Sequence, residues 1–250
     1  MANMTVLEIV VDILNDLEED VVNSINDSVA ALEVAQIVKT TYFNIIDSKD
    51  WPHLNQLFQF TGLGNINKPN YLQIPDSIVR VDWVKYNIKK VTDTKNKIEE
   101  INYLTPEDFV DFTNYRTSSD ANIQLVQDFN GIVLNIRNDK RPEYFTSFDD
   151  KYIVFDSFDS AIDTTIQASK SNGYGRRTAS FTVEDSFTPD LPQQMFSYLL
   201  NEAKATAFLI LKQSANAKAE QHSITQRRRM SQDAWKLKRG ITYPNYGRKK

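Results

Sequence analysis

The apolar positions of the first fifty residues recur at three- and four-residue spacing, the repeat of a helix buried along one side. Val6, Ile9, Val10, Ile13, Leu14 and Leu17 form one such stripe, and Thr5 with Glu8 stands before it in the spacing of a capping box. The Asn-, Asp- and Ser-rich stretch 23–28 predicts a turn. Asp27 or Ser28 then caps a second helix reaching about Asp47, with Ala31, Val34, Ala35, Val38, Tyr42 and Ile45 on its buried face. Trp51-Pro52 closes it, because the residue before a proline avoids the helical region. The two helices are expected to form an antiparallel pair.

The last quarter repeats the helical period. Leu191, Met195, Leu199, Ala203, Thr206 and Ile210 make a stripe, with Pro189 and Pro192 tolerated in the opening turn. No Gly or Pro follows until Gly240, so the pattern predicts one helix over about 189–238. Such a helix is about 70 Å long, more than a small domain covers. Its stripe thins beyond Leu211 to Ser214, Ala217, Gln221 and Ile224. The first half is expected to join the N-terminal helices, and 212–238 to act as an interface helix.

Between the helices the period shortens. Strands are expected at 57–60, 71–74, 78–86, 98–103, 123–127, 131–136, 152–155, 162–168 and 179–183, many of them rich in β-branched and aromatic residues. Asp128-Phe129-Asn130-Gly131 carries the Asn-Gly signal of a hairpin. Thr105-Pro106-Glu107-Asp108 starts a short helix ending near Tyr115. The expected architecture is α+β: a helical bundle of two N-terminal helices and one long C-terminal helix (1–51 and 189–238), an inserted antiparallel β domain (52–188), and an extended basic arm (239–250).

Composition narrows the function classes more than the fold. The chain has 250 residues, 41% hydrophobic and 25% charged, which suits one large domain or two small ones. It has no cysteine, and so no disulfide, thiolate nucleophile or cysteine-based metal site. The first apolar run holds Glu8 and Asp12 and lacks the basic start of a signal peptide, and no run reaches transmembrane length. A soluble protein that stays where it is made, with no membrane partner, is the expectation.

Net charge is −4, but from Thr225 onward nine basic residues face Asp233 alone, giving +8 there and −12 over the rest. An acidic body with a basic end suits nucleic acid, an anionic membrane or an acidic protein groove. In the run Arg227-Arg228-Arg229-Met230-Ser231-Gln232-Asp233-Ala234-Trp235-Lys236, helical spacing puts Arg228, Ser231 and Trp235 on one side. Lys238, Arg239, Tyr243, Tyr246, Arg248, Lys249 and Lys250 continue the basic and aromatic character. Such a mixture serves both protein anchors and phosphate surfaces.

Catalytic vocabulary is sparse. His53 reads as a polar residue at a helix exit, and His222 as an exposed one. Asp149, Asp150, Asp156, Asp159 and Asp163 could ligate calcium or serve a hydrolase, but lack the glycine-bearing loop of a dedicated site. Neither Gly62-Leu63-Gly64 nor Gly173-Tyr174-Gly175 makes a phosphate loop. The second, with Arg176 and Arg177, is expected at an exposed β-loop tip, where Tyr174, Arg176 and Arg177 could touch an acidic partner. These residues argue against an enzyme, a metal or a cofactor.

The order Asp12-Ile13-Leu14-Asn15-Asp16-Leu17, Val22-Asn23-Ser24-Ile25-Asn26-Asp27-Ser28, Ala35-Gln36-Ile37-Val38-Lys39 and Tyr42 resembles the opening of the head-to-tail adaptors of short-tailed phages, the tail tubular protein A group. Pro142-Glu143-Tyr144-Phe145-Thr146-Ser147-Phe148-Asp149-Asp150, then Ile153-Val154-Phe155-Asp156-Ser157, and the helix 203–219 leading into arginines, are similar to later parts of the same family. The likeness runs over nearly the whole chain as a diffuse pattern. It implies a structural virion protein at the head–tail junction, assembled in the host cytoplasm. Its subunits would form a ring, twelve-fold in the family, between the portal protein and the tail nozzle, with tail fibres nearby. The helical part would face the portal and the β domain would lie outward near the nozzle and fibres, with Tyr174, Arg176 and Arg177 as the candidate contacts there. Portal docking would use Arg227, Arg228, Arg229, Trp235, Lys236, Lys238, Arg239, Tyr243, Tyr246, Arg248, Lys249 and Lys250. An acidic conduit lets DNA slide without sequence recognition, and Glu18, Glu19, Asp20 and Glu202 are the candidates to face it. The alternative reading is a nucleic-acid-binding protein that uses the basic arm.

Overall fold

The computed structural model describes residues 3–89, 94–161 and 170–239, with 232–239 as backbone only. They fall into two compact units. One holds the described residues up to Leu54 and from Ala179 on; the other is Asn55–Thr178.

In the helical unit, α1 (Val6–Asp16) starts on the expected capping box: the Thr5 side chain accepts from the Glu8 amide, and Glu8 accepts from the Thr5 amide. A cap of this kind stabilises a helix by about 1 kcal/mol. α2 (Val29–Asp47) starts at Ser28, whose side chain accepts from the Ala31 amide at 3.1 Å. The turn between them is tied by Asp27, which accepts from the Asn23 and Ser24 amides. Both expected stripes are buried in one core. α4 (Gln193–Leu211) adds Met195, Phe196, Leu199, Ala203 and Ala207 to it. The extended residues before α4 matter too. The Phe187 carbonyl accepts from the Val6 amide (2.8 Å), Asp185 accepts from the Ile25 amide (2.8 Å), and Phe181 packs against Tyr42.

The second unit is built on a sheet ordered β1 (Asn55–Gln59), β10 (Ser171–Arg177), β4 (Ile78–Asn87), β5 (Ile98–Tyr103), β8 (Tyr144–Thr146), β9 (Tyr152–Phe155), β3 (Tyr71–Gln73), β2 (Thr61–Gly62). Its two outer strands, β1 and β2, are joined in the chain through Phe60 alone, so the sheet comes round to a nearly closed barrel. Phe60, Leu72, Val84, Ile101, Ile153, Val154 and Phe155 fill its core. α3 (Pro106–Asn114) and the hairpin of β6 (Ile123–Gln127) and β7 (Val133–Arg137) lie between β5 and β8. The hairpin turn is the one expected, with Gly131 at φ 87°.

The expected fold class does not hold. The chain is mixed α/β, with five helices among its described residues and a large barrel-like sheet, rather than a three-helix bundle carrying an antiparallel β insertion. Three findings overturn it. β5 and β8 pair in parallel, which needs a long crossover, and α3 with the β6–β7 hairpin supplies one. The eight strands make a barrel with its own core. The single C-terminal helix is two helices, α4 and α5 (Ala217–Arg239), separated at 212–216. Of the expected strands, 162–168 lies outside the described residues, and 179–183 is extended chain contributing Phe181 to the helical core.

Candidate functional site

The break between α4 and α5 decides where the basic residues go. Lys212 ends α4, its amide bonded to the Phe208 carbonyl (3.1 Å), and Gln213 takes a left-handed φ of 51°. Asn216 then caps α5 by accepting from the Ala219 amide at 3.1 Å. The chain reverses and α5 packs along α4. Ser223 donates to Glu202, Gln226 donates to Ser197, and Asn201 donates to Gln226 at 3.3 Å. Later α5 positions meet earlier α4 positions, the mark of an antiparallel hairpin.

The inward stripe of α5 is Ala219, Ser223, Gln226 and Met230, spaced four, three and four residues apart, with Gln226 half-buried. Ser214, Ala217, Gln221 and Ile224, the expected continuation of the α4 stripe, are all exposed. The interface is therefore small and polar except at Met230. At 100° per residue the three arginines fan over about 200° of the helix circumference. Arg228 points away from α4 beside the exposed Ile224, and Arg227 and Arg229 flank it.

Arg227 borders a cleft of about 430 Å³ between α2, α4 and α5, with Tyr198 and Glu202 in its wall and Gln36, Thr40 and Asn44 along α2. Burial, then the nearby Glu202 carboxylate, raise the Tyr198 phenol, and Arg227 partly offsets them. Glu202, a candidate to face DNA, thus sits half-buried as the acceptor of Ser223. On α1, Lys204 of α4 reaches Asp12 (2.9 Å) and Asp16 (2.6 Å), and Lys212 reaches Glu19 (3.6 Å). Glu18, Glu19 and Asp20 are exposed just beyond α1.

The expected docking residues divide into three groups. Arg227, Arg228 and Arg229 are exposed on α5. Trp235, Lys236 and Lys238 lie on a helix, as expected of 189–238, and Arg239, expected to open the arm, is the last residue of α5. Tyr243, Tyr246, Arg248, Lys249 and Lys250 lie outside the described residues.

Tyr174, Arg176 and Arg177 are not at a loop tip. They belong to β10, hydrogen-bonded between β1 and β4. The glycines that suggested a loop serve close packing instead: a Cβ on Gly175 would come within 1.9 Å of the Arg80 carbonyl oxygen. Tyr174 stacks on Trp83 across the strands at 5.6 Å, with the Lys85 ammonium 4.6 Å from the indole centre. The sequence reading missed this ladder; the signal available was Trp83 and Lys85 two apart on one strand face.

The acids at 149–163 do structural work. Asp149 accepts from the Lys151 and Tyr152 amides, Asp150 turns the chain at φ 58°, and Asp159 accepts from the Ala161 amide. Asp156 pairs with Arg116, and Asp163 lies outside the described residues. Among the described residues no group of three or more His, Asp or Glu side chains is placed to hold a metal ion. His53 lies in the 3-10 turn Pro52–Leu54, and His222 is exposed on α5. No helix among the described residues is long and apolar enough to cross a membrane. The chain matches no protein-family model and no curated protein.

Proposed function

We propose that this chain is a structural virion protein, a head-to-tail adaptor whose copies form a ring between the portal and the tail nozzle and line the DNA conduit. The observation that carries the reading is the charge division. An arginine triplet stands exposed on α5 and leads into a basic chain end, on a body that is otherwise strongly acidic. The resemblance of the sequence to the adaptor family supports it. In this reading the protein does no catalysis and holds no cofactor. The body repels the passing phosphates, and the basic end meets the portal protein. The nozzle and fibres are the partners on the tail side, and the assembled protein belongs to the virion.

The test is co-purification with the portal protein of the same virus. A chain ending at Arg239 keeps all of α5 and loses only the basic end. It is expected to lose portal binding while folding normally. Undiminished binding overturns the docking assignment.

A second reading, nucleic-acid binding, is favoured by one observation: the three arginines are all exposed on consecutive positions. Phosphate contacts of this kind weaken steeply as salt rises. DNA titrated into the isolated protein at low and high salt decides it, and the absence of salt-sensitive binding removes it.

A further inference from the structure

The helical unit carries two exposed patches of opposite charge, and its geometry keeps them apart. The basic patch is Arg227, Arg228 and Arg229 around the exposed Ile224. The acidic patch follows α1: Glu18, Glu19 and Asp20, joined by the partly exposed Asp12 and Asp16. It too has apolar company. Val21 is 70% exposed, Val29 75% and Leu32 43%, at the turn and in the first turn of α2.

α4 fixes the separation. Its C-terminal half meets the acids, through Lys204 to Asp12 and Asp16 and through Lys212 to Glu19. Its N-terminal half meets the arginine end of α5, through Ser197 and Asn201 to Gln226. The two levels are roughly 10 to 20 Å apart along α4 at 1.5 Å per residue. Lys204 and Lys212 spend their charge on three of the five acids, so among the described residues the acidic patch keeps a negative surplus. Arg228 projects from the side of α5 opposite α4 and cannot supply the missing charge within its own chain.

We propose that these patches are the two halves of one contact between copies of the chain: the Ile224–Arg228 face of α5 docks on the Glu18–Val21 turn and the Val29–Leu32 turn of the next copy. Each half offers charge of one sign around an apolar centre, the make-up of an interface core with a polar rim. The two halves are different surfaces of one compact unit, so the contact is head-to-tail and propagates, closing into a ring when the rotation fits. This rests on the ring reading and gives it a specific interface. It assigns the arginine triplet to the neighbouring subunit and leaves 240–250 for the portal.

Sedimentation velocity of the full chain over a range of concentration tests it. The wild type is expected to self-associate at low salt and to weaken as salt rises. Arg228→Glu with Arg229→Glu, or Glu18→Lys with Asp20→Lys, is expected to weaken association roughly tenfold or more, because like charges then face each other across the contact. Both substitution pairs lie on exposed positions, and unchanged far-UV circular dichroism and melting show that the fold is kept. The chain carrying both reversals is expected to associate again, and mixing the two singly reversed chains to give pairs that neither forms alone. A wild type that stays monomeric at every concentration, reversals without effect, or a doubly reversed chain without recovery each overturns the contact. So does a loss of DNA binding on arginine reversal with association unchanged. Electron microscopy of the virus particle separates the two readings: a ring at the head–tail junction with reversals that leave association unchanged keeps the adaptor reading and removes this interface, whereas a particle without a ring removes the adaptor reading itself.

Discussion

Arg116 and Asp156 form a buried ion pair that ties four elements of the β unit together. The guanidinium bonds Asp156 Oδ2 at 2.8 Å, the Asp156 carbonyl at 2.6 Å and the Asn135 carbonyl at 3.2 Å. Asp156 Oδ1 accepts from the amides of Glu143 (3.0 Å) and Tyr144 (2.9 Å). Arg116 follows α3, Asn135 lies in β7, Tyr144 opens β8 and Asp156 follows β9. The carboxylate that suggested metal or hydrolase chemistry is thus only 3% exposed and fully engaged.

Removing the Asp156 carboxylate leaves the Arg116 guanidinium with its two backbone carbonyls but no counter-charge, and the Glu143 and Tyr144 amides with no acceptor. Asp156→Ala is expected to destabilise the β unit by about 3 to 5 kcal/mol. Asp156→Asn, which keeps an acceptor for the two amides, is expected to cost less. Denaturant unfolding followed by circular dichroism checks both: the midpoint falls with the slope unchanged. Equal midpoints for Asp156→Ala and wild type contradict the linchpin role.

Gly175 makes a sharper case about β10. A Cβ there meets the Arg80 carbonyl oxygen, a backbone atom of the paired strand that cannot swing aside. Gly175→Ala is expected to cost about 3 kcal/mol, the upper range for overpacking. Gly64→Ala is the control. Its φ is +63° and nothing lies within 4 Å of the added atom, so only backbone strain of about 1 kcal/mol is expected. Melting temperatures of the two variants should differ accordingly, and a Gly175→Ala chain as stable as Gly64→Ala refutes the close approach.

Lys204 gives the pH dependence. Burial lowers its pKa, but the bonds to Asp16 and Asp12 outweigh burial and leave it raised above the ordinary 10.5. A folded-state pKa above the unfolded value contributes stability that is fully present below the unfolded value and is lost as pH rises through the folded one. Lys204→Met is therefore expected to be less stable than wild type by about 1 kcal/mol at neutral pH. The gap should stay constant through the neutral range and close only in strong alkali. A gap that instead closes between neutrality and pH 10.5 runs against the raised value.

The helix starts were legible because capping is local. Thr5, Ser28 and Thr105 each announced a helix, and each accepts the amide bond its position implies. The β6–β7 turn was legible for the same reason, through Asn130-Gly131. The α4–α5 reversal was not. It has no Gly or Pro, and its left-handed residue is Gln213, which rarely takes that conformation unless tertiary packing holds it. The weak signal was Ser214 with Asn216, a cap residue before Ala217, inside a stretch read as helix. The parallel pairing of β5 with β8 had no local signal either, since strand order is a property of the whole sheet. Misplacing the Gly173–Arg177 stretch had a physical cause as well: two glycines suggest a loop, yet here they admit a neighbouring strand.

Met230 measures how firmly α5 is held. It is 8% exposed and the one large apolar side chain described on the inward stripe, where the other members are Ala219, Ser223 and Gln226. The other members are small or polar, so apolar burial at Met230 contributes a disproportionate share of the docking. Met230→Ala is expected to cost about 2 kcal/mol, the low end for such truncations, because a seam lined by small and polar side chains can partly collapse. Local loosening should exceed global destabilisation, since α5 can leave α4 while the α1–α2–α4 core persists. Hydrogen exchange reads this directly: amides of 217–231 lose protection in Met230→Ala while those of α1 and α2 keep theirs. A chain ended after Gln226 removes Met230 and should behave the same way, whereas one ended at Arg239 should match wild type. Uniform loss of protection across all the helices contradicts a separable α5.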